Sequence, residues 1–118
     1  MQGDKFSPNP DAVAREPLSD VELITRLQDD PTALADLYDR YGKLVFGIAR
    51  RTLGNLEEAQ DLTQEVFLNL QTQRTYDVAR GSLAAYLTTV TRTRAIDLLR
   101  FRTRRVTLLH RFWSRQPE

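Results

Sequence analysis

Four start-and-stop signals divide this chain and leave it little choice but helix. Ser19-Asp-Val-Glu22 has the spacing of a capping box, in which each side chain satisfies the other residue's backbone amide. Asp30-Pro31 supplies an N-cap followed by proline at the first helical position, where no amide hydrogen is needed. Gly54 is a helix stop and Asn55 the next cap, with Glu57 and Glu58 where the helix dipole favours anions. Gly81-Ser82 opens the last segment. Between these marks, apolar residues recur at three- and four-residue steps, and no stretch alternates as a strand does. The expectation is an all-α fold, a compact bundle of about four helices.

The first helix is expected over roughly Asp20–Gln28, burying Val21, Ile24 and Leu27. The second runs to Leu53 on Leu34, Leu37, Tyr38, Tyr41, Leu44, Val45, Ile48 and Ala49. Gly42 and Gly47 interrupt it, each costing about 1 kcal/mol relative to alanine, and they suit either close approach of a neighbouring helix or a slight bend. The third helix uses Leu56, Ala59, Leu62, Val66, Phe67 and Leu70, with Asp61, Gln64, Glu65 and Asn69 forming an acidic and amide-rich side. Arg74–Gly81 reads as a loop carrying Tyr76. The fourth helix, Leu83–Arg105, has its apolar stripe on Leu83, Tyr86, Leu87, Val90, Ala95, Ile96 and Leu99. Off that stripe lie Thr88, Thr89, Arg92, Thr93, Arg100 and Arg104, a pattern that suits either a phosphate backbone or a solvated helix face.

Composition narrows function more than it names it. The 118 residues suffice for one modest core, and 41% hydrophobic with 28% charged residues is ordinary for a globular protein. There is no cysteine and one histidine, so neither disulfides nor a thiolate or histidine metal centre is expected, and no cofactor is implied. No apolar run approaches membrane-spanning length and no signal-peptide pattern occurs, so a cytoplasmic location without membrane insertion is expected. The net charge of +1 conceals a split: residues 92–118 carry eight arginines against Asp97 and Glu118, a net +6, and residues 1–91 carry nine bases against fourteen acids, a net −5. Such a dipolar chain suits an anionic partner at one end and a different partner at the other. Nucleotide-binding loops, nucleophile elbows and paired-histidine motifs are all missing, so action by binding is expected in place of catalysis.

Three strings together resemble a family. Ala35–Arg51 (ADLYDRYGKLVFGIARR), Glu57–Leu68 (EEAQDLTQEVFL), and the pair Gly81–Leu87 (GSLAAYL) with Arg94–Arg100 (RAIDLLR) are similar to region 2 of bacterial RNA polymerase sigma factors of the extracytoplasmic-function (ECF) group. The match runs from about Ser19 to Arg105. The resemblance implies a domain that binds core RNA polymerase and recognises and melts the −10 promoter element. Asp61, Gln64, Glu65, Leu68 and Asn69 then face the β′ clamp. Arg74, Tyr76, Arg80, Ser82, Tyr86, Thr89, Arg92, Thr93, Arg100 and Arg104 become the residues for the non-template strand, with a flipped base received by the Arg74–Ser82 loop. An anti-sigma factor is a further implied partner. Two other readings stay open: a regulatory module acting mainly through an anti-sigma protein, and a generic helical duplex-DNA binder.

The chain departs from the family pattern where Leu83, Tyr86 and Thr93 stand in place of the frequent Phe, Trp and Asn, which leaves the accepted base open. Residues 1–17 read as a disordered leader, 18–105 as the domain and 106–118 as the start of a linker. The family's C-terminal helix-turn-helix domain has no counterpart after Arg105. A fragment is therefore the favoured reading over a natural one-domain variant.

Overall fold

A computed structural model describes residues 17–73 and 76–115. The expected leader, apart from Pro17, and the candidate Arg74 lie outside the described residues. Among the described residues four α-helices follow one another: α1 (Asp20–Arg26), α2 (Pro31–Leu53), α3 (Leu56–Gln73) and α4 (Leu83–Arg115), with a short 3-10 turn at Val78–Arg80. The all-α expectation holds. α2 is the central helix, packing on α3 along one side and α4 along another, while α1 closes over it.

The caps form as their residue types dictate. Ser19 Oγ accepts from Glu22 N at 3.2 Å, and Glu22 Oε1 accepts from Ser19 N at 2.8 Å. Asp30 accepts from Thr32 N at 2.9 Å ahead of Pro31. Gly54 ends α2 with φ 67°, a left-handed turn that glycine takes without a Cβ clash. Asn55 Oδ1 then accepts from Glu58 N at 2.9 Å.

Four expectations are corrected. First, α1 ends at Arg26 and buries Leu23 and Leu27, leaving Ile24 half-buried and Val21 exposed. A seven-residue helix carries two possible apolar stripes, and a long-range tether selects between them. Asp20 accepts from the Tyr41 hydroxyl and pairs with Arg40 at 2.8 Å, both on α2. Asp20, Leu23 and Leu27 share a helical face, so anchoring Asp20 turns both leucines inward.

Second, Tyr38, Leu44 and Leu56 fit the apolar spacing yet stand exposed at 37–48%. Third, Gly42 makes room for its own helix. A Cβ there would lie 3.3 Å from the Tyr38 ring, which leans over the glycine toward Phe67 with ring centroids 5.0 Å apart. At Gly47 the nearest neighbour is likewise local, the Arg51 guanidinium. Fourth, α4 continues ten residues past Arg105 to Arg115. The intervening residues include neither glycine nor proline to stop it. At 33 residues the helix is about 50 Å long. Every residue from Arg100 to Ser114 on it is exposed, including Phe101, Val106, Leu108, Leu109, Phe112 and Trp113.

The core gathers Leu23, Leu27, Ala33, Leu37, Val45, Ala49, Leu53, Ala59, Leu62, Val66, Phe67, Leu70, Leu83, Leu87 and Ala95. Each buried leucine contributes roughly 1.5–3 kcal/mol relative to exposure. Among the described residues no helix is long and apolar enough to cross a membrane.

The Asp20 tether has a pH signature. The hydrogen bond to the Asp20 carboxylate, then burial, push Tyr41 up from 10.0 to about 12. Because the folded state holds this proton more tightly, its contribution is complete below pH 10.0 and is lost as pH rises toward about 12. Tyrosinate absorbance should therefore show an ionisation near pH 12 that disappears in Tyr41→Phe. An ionisation near pH 12 that survives Tyr41→Phe would assign the tether wrongly.

Candidate nucleic-acid interface

A cleft of about 240 Å³ opens where the 3-10 turn meets the start of α4. Tyr76, Asp77, Arg80, Gly81, Ser82, Ala85, Tyr86 and Thr89 line it. Its shape follows from local chemistry. Asp77 caps the turn by accepting from Ala79 N at 3.0 Å, and Gly81 reverses the chain with φ 141°, a conformation that side chains rarely allow. Ser82 Oγ accepts from Ala85 N at 3.1 Å and starts α4. Tyr76 then fastens the loop to the helix: its hydroxyl donates to the Gly81 carbonyl at 2.8 Å, and its ring sits 5.2 Å from that of Tyr86 at a 56° tilt. Burial raises the Tyr76 pKa, with the Asp20 and Asp77 charges adding to it.

Such a cleft offers two aromatic faces for stacking, a guanidinium donor and a carboxylate acceptor, the groups that receive an unstacked base. Five of the ten residues expected from sequence for DNA come together here: Tyr76, Arg80, Ser82, Tyr86 and Thr89. Ser82 also serves as the cap. Leu83, one of the departures from the family pattern, is 1% exposed and belongs to the core.

Below the cleft, Thr89, Thr93, Arg100 and Arg104 fall on one exposed face of α4, at steps of four, seven and four residues. Arg92 is exposed on an adjoining face. These side chains form a row leading away from the cleft along the helix.

The acidic side of α3 is less simple than its sequence. Asp61, Gln64, Glu65 and Leu68 are exposed and Asn69 is half-buried, which keeps all five on one accessible surface. Two of that helix's acids, however, are engaged by α4. Arg94 Nη1 pairs with Glu65 Oε2 at 2.6 Å, and Arg102 Nη2 pairs with Glu58 Oε1 at 2.5 Å. With its amide oxygen turned toward the guanidinium, the orientation that satisfies both groups, Asn69 accepts from Arg94 at 3.0 and 3.3 Å. Asp77, Ala85, Arg94 and Arg102 are the participants that the sequence does not single out, and Gly81 is marked there only as the turn before α4. Asp77-x-Ala79 has Asx-turn spacing and could have been read as a cap. Nothing in the sequence distinguishes Arg94 from the other arginines of α4. Among the described residues no cluster of acids and histidine could hold a metal ion.

The model of the family described as Sigma-70 region 2 matches residues 37–105. Relatives include the proteins named ECF RNA polymerase sigma factor SigK of Mycobacterium tuberculosis (strain H37Rv) and Mycobacterium bovis (strain BCG), each 32% identical over 85 residues, or 70% of this chain and 46% of the relative. The protein of the same name from Mycobacterium sp. (strain KMS) is also 32% identical, with 44% of its length covered. The chain thus spans about half the length of the curated relatives it matches. No solved structure matches this chain significantly.

Proposed function

We propose, from the premise that this chain belongs to the Sigma-70 region 2 family as a domain of the ECF type, that it acts in transcription initiation by joining core RNA polymerase to promoter DNA. The acidic-amide surface of α3 docks on the β′ clamp. The cleft receives a base of the −10 element's non-template strand, and the Thr89–Arg104 row holds the strand that follows. The observation that carries this reading is the placement of the Tyr76–Tyr86 cleft at the head of the threonine and arginine row, on a different helix from the acidic surface. Capturing one unstacked base favours the open form of the duplex, so melting follows from binding alone, with no catalytic step. The exposed apolar residues of α4 beyond Arg100 favour a second reading beside this one, a protein partner such as an anti-sigma factor seated on them.

Single strands drawn from a random pool should bind more tightly than the same sequences as duplex, and affinity should fall steeply with salt as arginines release counterions. Tyr86→Ala should cost about tenfold in single-strand affinity, within the range for one stacked base. Fluorescence anisotropy over a salt series measures all three. Equal affinity for any duplex, or a flat salt response, would sink the strand-binding reading.

A further inference from the structure

Arg94 is absent from both surfaces just described, yet it touches one and grows from the helix that carries the other. Its guanidinium bridges the Glu65 carboxylate, at 2.6 Å, and the Asn69 amide oxygen, at 3.0 Å. Glu65 and Asn69 lie one turn apart on α3, so a single planar fork locks two neighbouring side chains that would otherwise sample several rotamers. Both ends remain partly open to solvent, with the Arg94 side chain 36% and the Glu65 side chain 51% exposed. A surface pair of this kind contributes little to folding.

We propose that Arg94 is a positioning residue of the α3 docking surface, holding Glu65 and Asn69 as one preformed hydrogen-bonding unit for the protein that docks there. With Oε2 and the Asn69 oxygen occupied, the unit presents Glu65 Oε1 as an acceptor and the Asn69 NH2 group as a donor, side by side. The fitting partner offers a cationic donor beside a carbonyl or carboxylate oxygen, a pair found along any basic helix surface. Arg94 also cancels most of the Glu65 charge, and Arg102 does the same to Glu58. Long-range attraction for a basic partner therefore falls to Asp61 and to Glu57 one turn before it, neither of which makes an ion pair among the described residues, while Glu65 and Asn69 supply geometry.

This inference rests on the polymerase-docking reading, and Asp61→Arg is the control that separates the two. Binding of the whole chain to bacterial core RNA polymerase is measured for Arg94→Ala, Glu65→Ala, the double variant and Asp61→Arg, with thermal unfolding recorded for each. Arg94→Ala should weaken binding about fivefold, the ordering cost of two released side chains, with little change in unfolding temperature. In the Glu65→Ala background, removing Arg94 should cost appreciably less, because the unit is already broken. Arg94→Lys, which keeps the charge but cannot fork, should restore binding only in part. Single-strand DNA affinity of the chain alone should be unchanged by Arg94→Ala. Full additivity, full rescue by lysine, or unchanged or tighter binding by Arg94→Ala would overturn the positioning role. If Asp61→Arg also leaves binding intact, the docking reading itself fails.

Discussion

Asp61→Arg is expected to weaken binding to core RNA polymerase about a hundredfold, with no loss of helix content and little change in thermal unfolding. The size follows from how charge is distributed at the seam between α3 and α4. Glu58, Asp61 and Glu65 share one face of α3, and α4 places Arg102 against the first and Arg94 against the last. Asp61 stands exposed between two neutralised pairs. Reversing it puts a positive charge where the negative one stood between the two neutralised pairs, which repels the basic partner that the surface is proposed to meet. Like charges brought together across an interface cost several kcal/mol, and each 1.4 kcal/mol is about tenfold in affinity. Because the site is open to solvent, the difference between variant and parent should shrink as salt rises from low to physiological ionic strength. Equilibrium binding at two salt concentrations, with circular dichroism of the free chain, measures this. Binding that survives the reversal at low salt would remove α3 from the docking surface.

The helix ends were the most legible part of the molecule because capping is local chemistry. Ser19 with Glu22, Asp30 with Pro31, Gly54 with Asn55, and Ser82 each act within three residues, so sequence spacing alone identifies them. The rotation of α1 was not legible. It depends on Asp20 meeting Arg40 and Tyr41 some twenty residues away, and either of two stripes satisfies a helix of seven residues. Periodicity likewise marks Tyr38, Leu44 and Leu56 as apolar without telling core from rim. The run of α4 to Arg115 is obscured in the sequence, although no residue there stops a helix, because a basic, aromatic composition resembles a tail as much as a helix.

The candidate site divides in the same way. Its aromatic and arginine residues are found through resemblance to a family and Gly81 through its turn chemistry, whereas the part Asp77 plays in aiming them emerges only when the backbone closes. The charge split also reads differently in three dimensions. Summed along the chain it suggests two separate poles, yet Arg94 and Arg102 fold back across the divide and pair with α3.

Leu87→Ala is expected to cost about 3–4 kcal/mol, a third or more of what a domain this size commands. Leu83, Leu87, Thr91 and Ala95 recur every four residues and form the buried ridge by which α4 joins the core, all at 0–1% exposure. The cleft and the arginine row lie on the same helix, so this ridge also fixes the DNA surface relative to α3. Urea unfolding should show a lower midpoint with an unchanged slope if the loss is a cavity and not a looser native state. The next residue of the ridge should behave in the opposite way. Thr91 is fully buried with no hydrogen-bond partner for its hydroxyl among the described residues, so Thr91→Val keeps the shape and removes a desolvated polar group, a gain of about 1 kcal/mol. Thr63 supplies the contrast: it is buried to a similar degree, but its hydroxyl donates to the Ala59 carbonyl at 2.7 Å, so valine there forfeits a bond and brings no such gain. Opposite signs at Leu87 and Thr91, one turn apart, distinguish a packed ridge from a helix that merely lies alongside the core. A cost below about 1 kcal/mol at Leu87 would place it outside the range of buried leucines and undo the assignment.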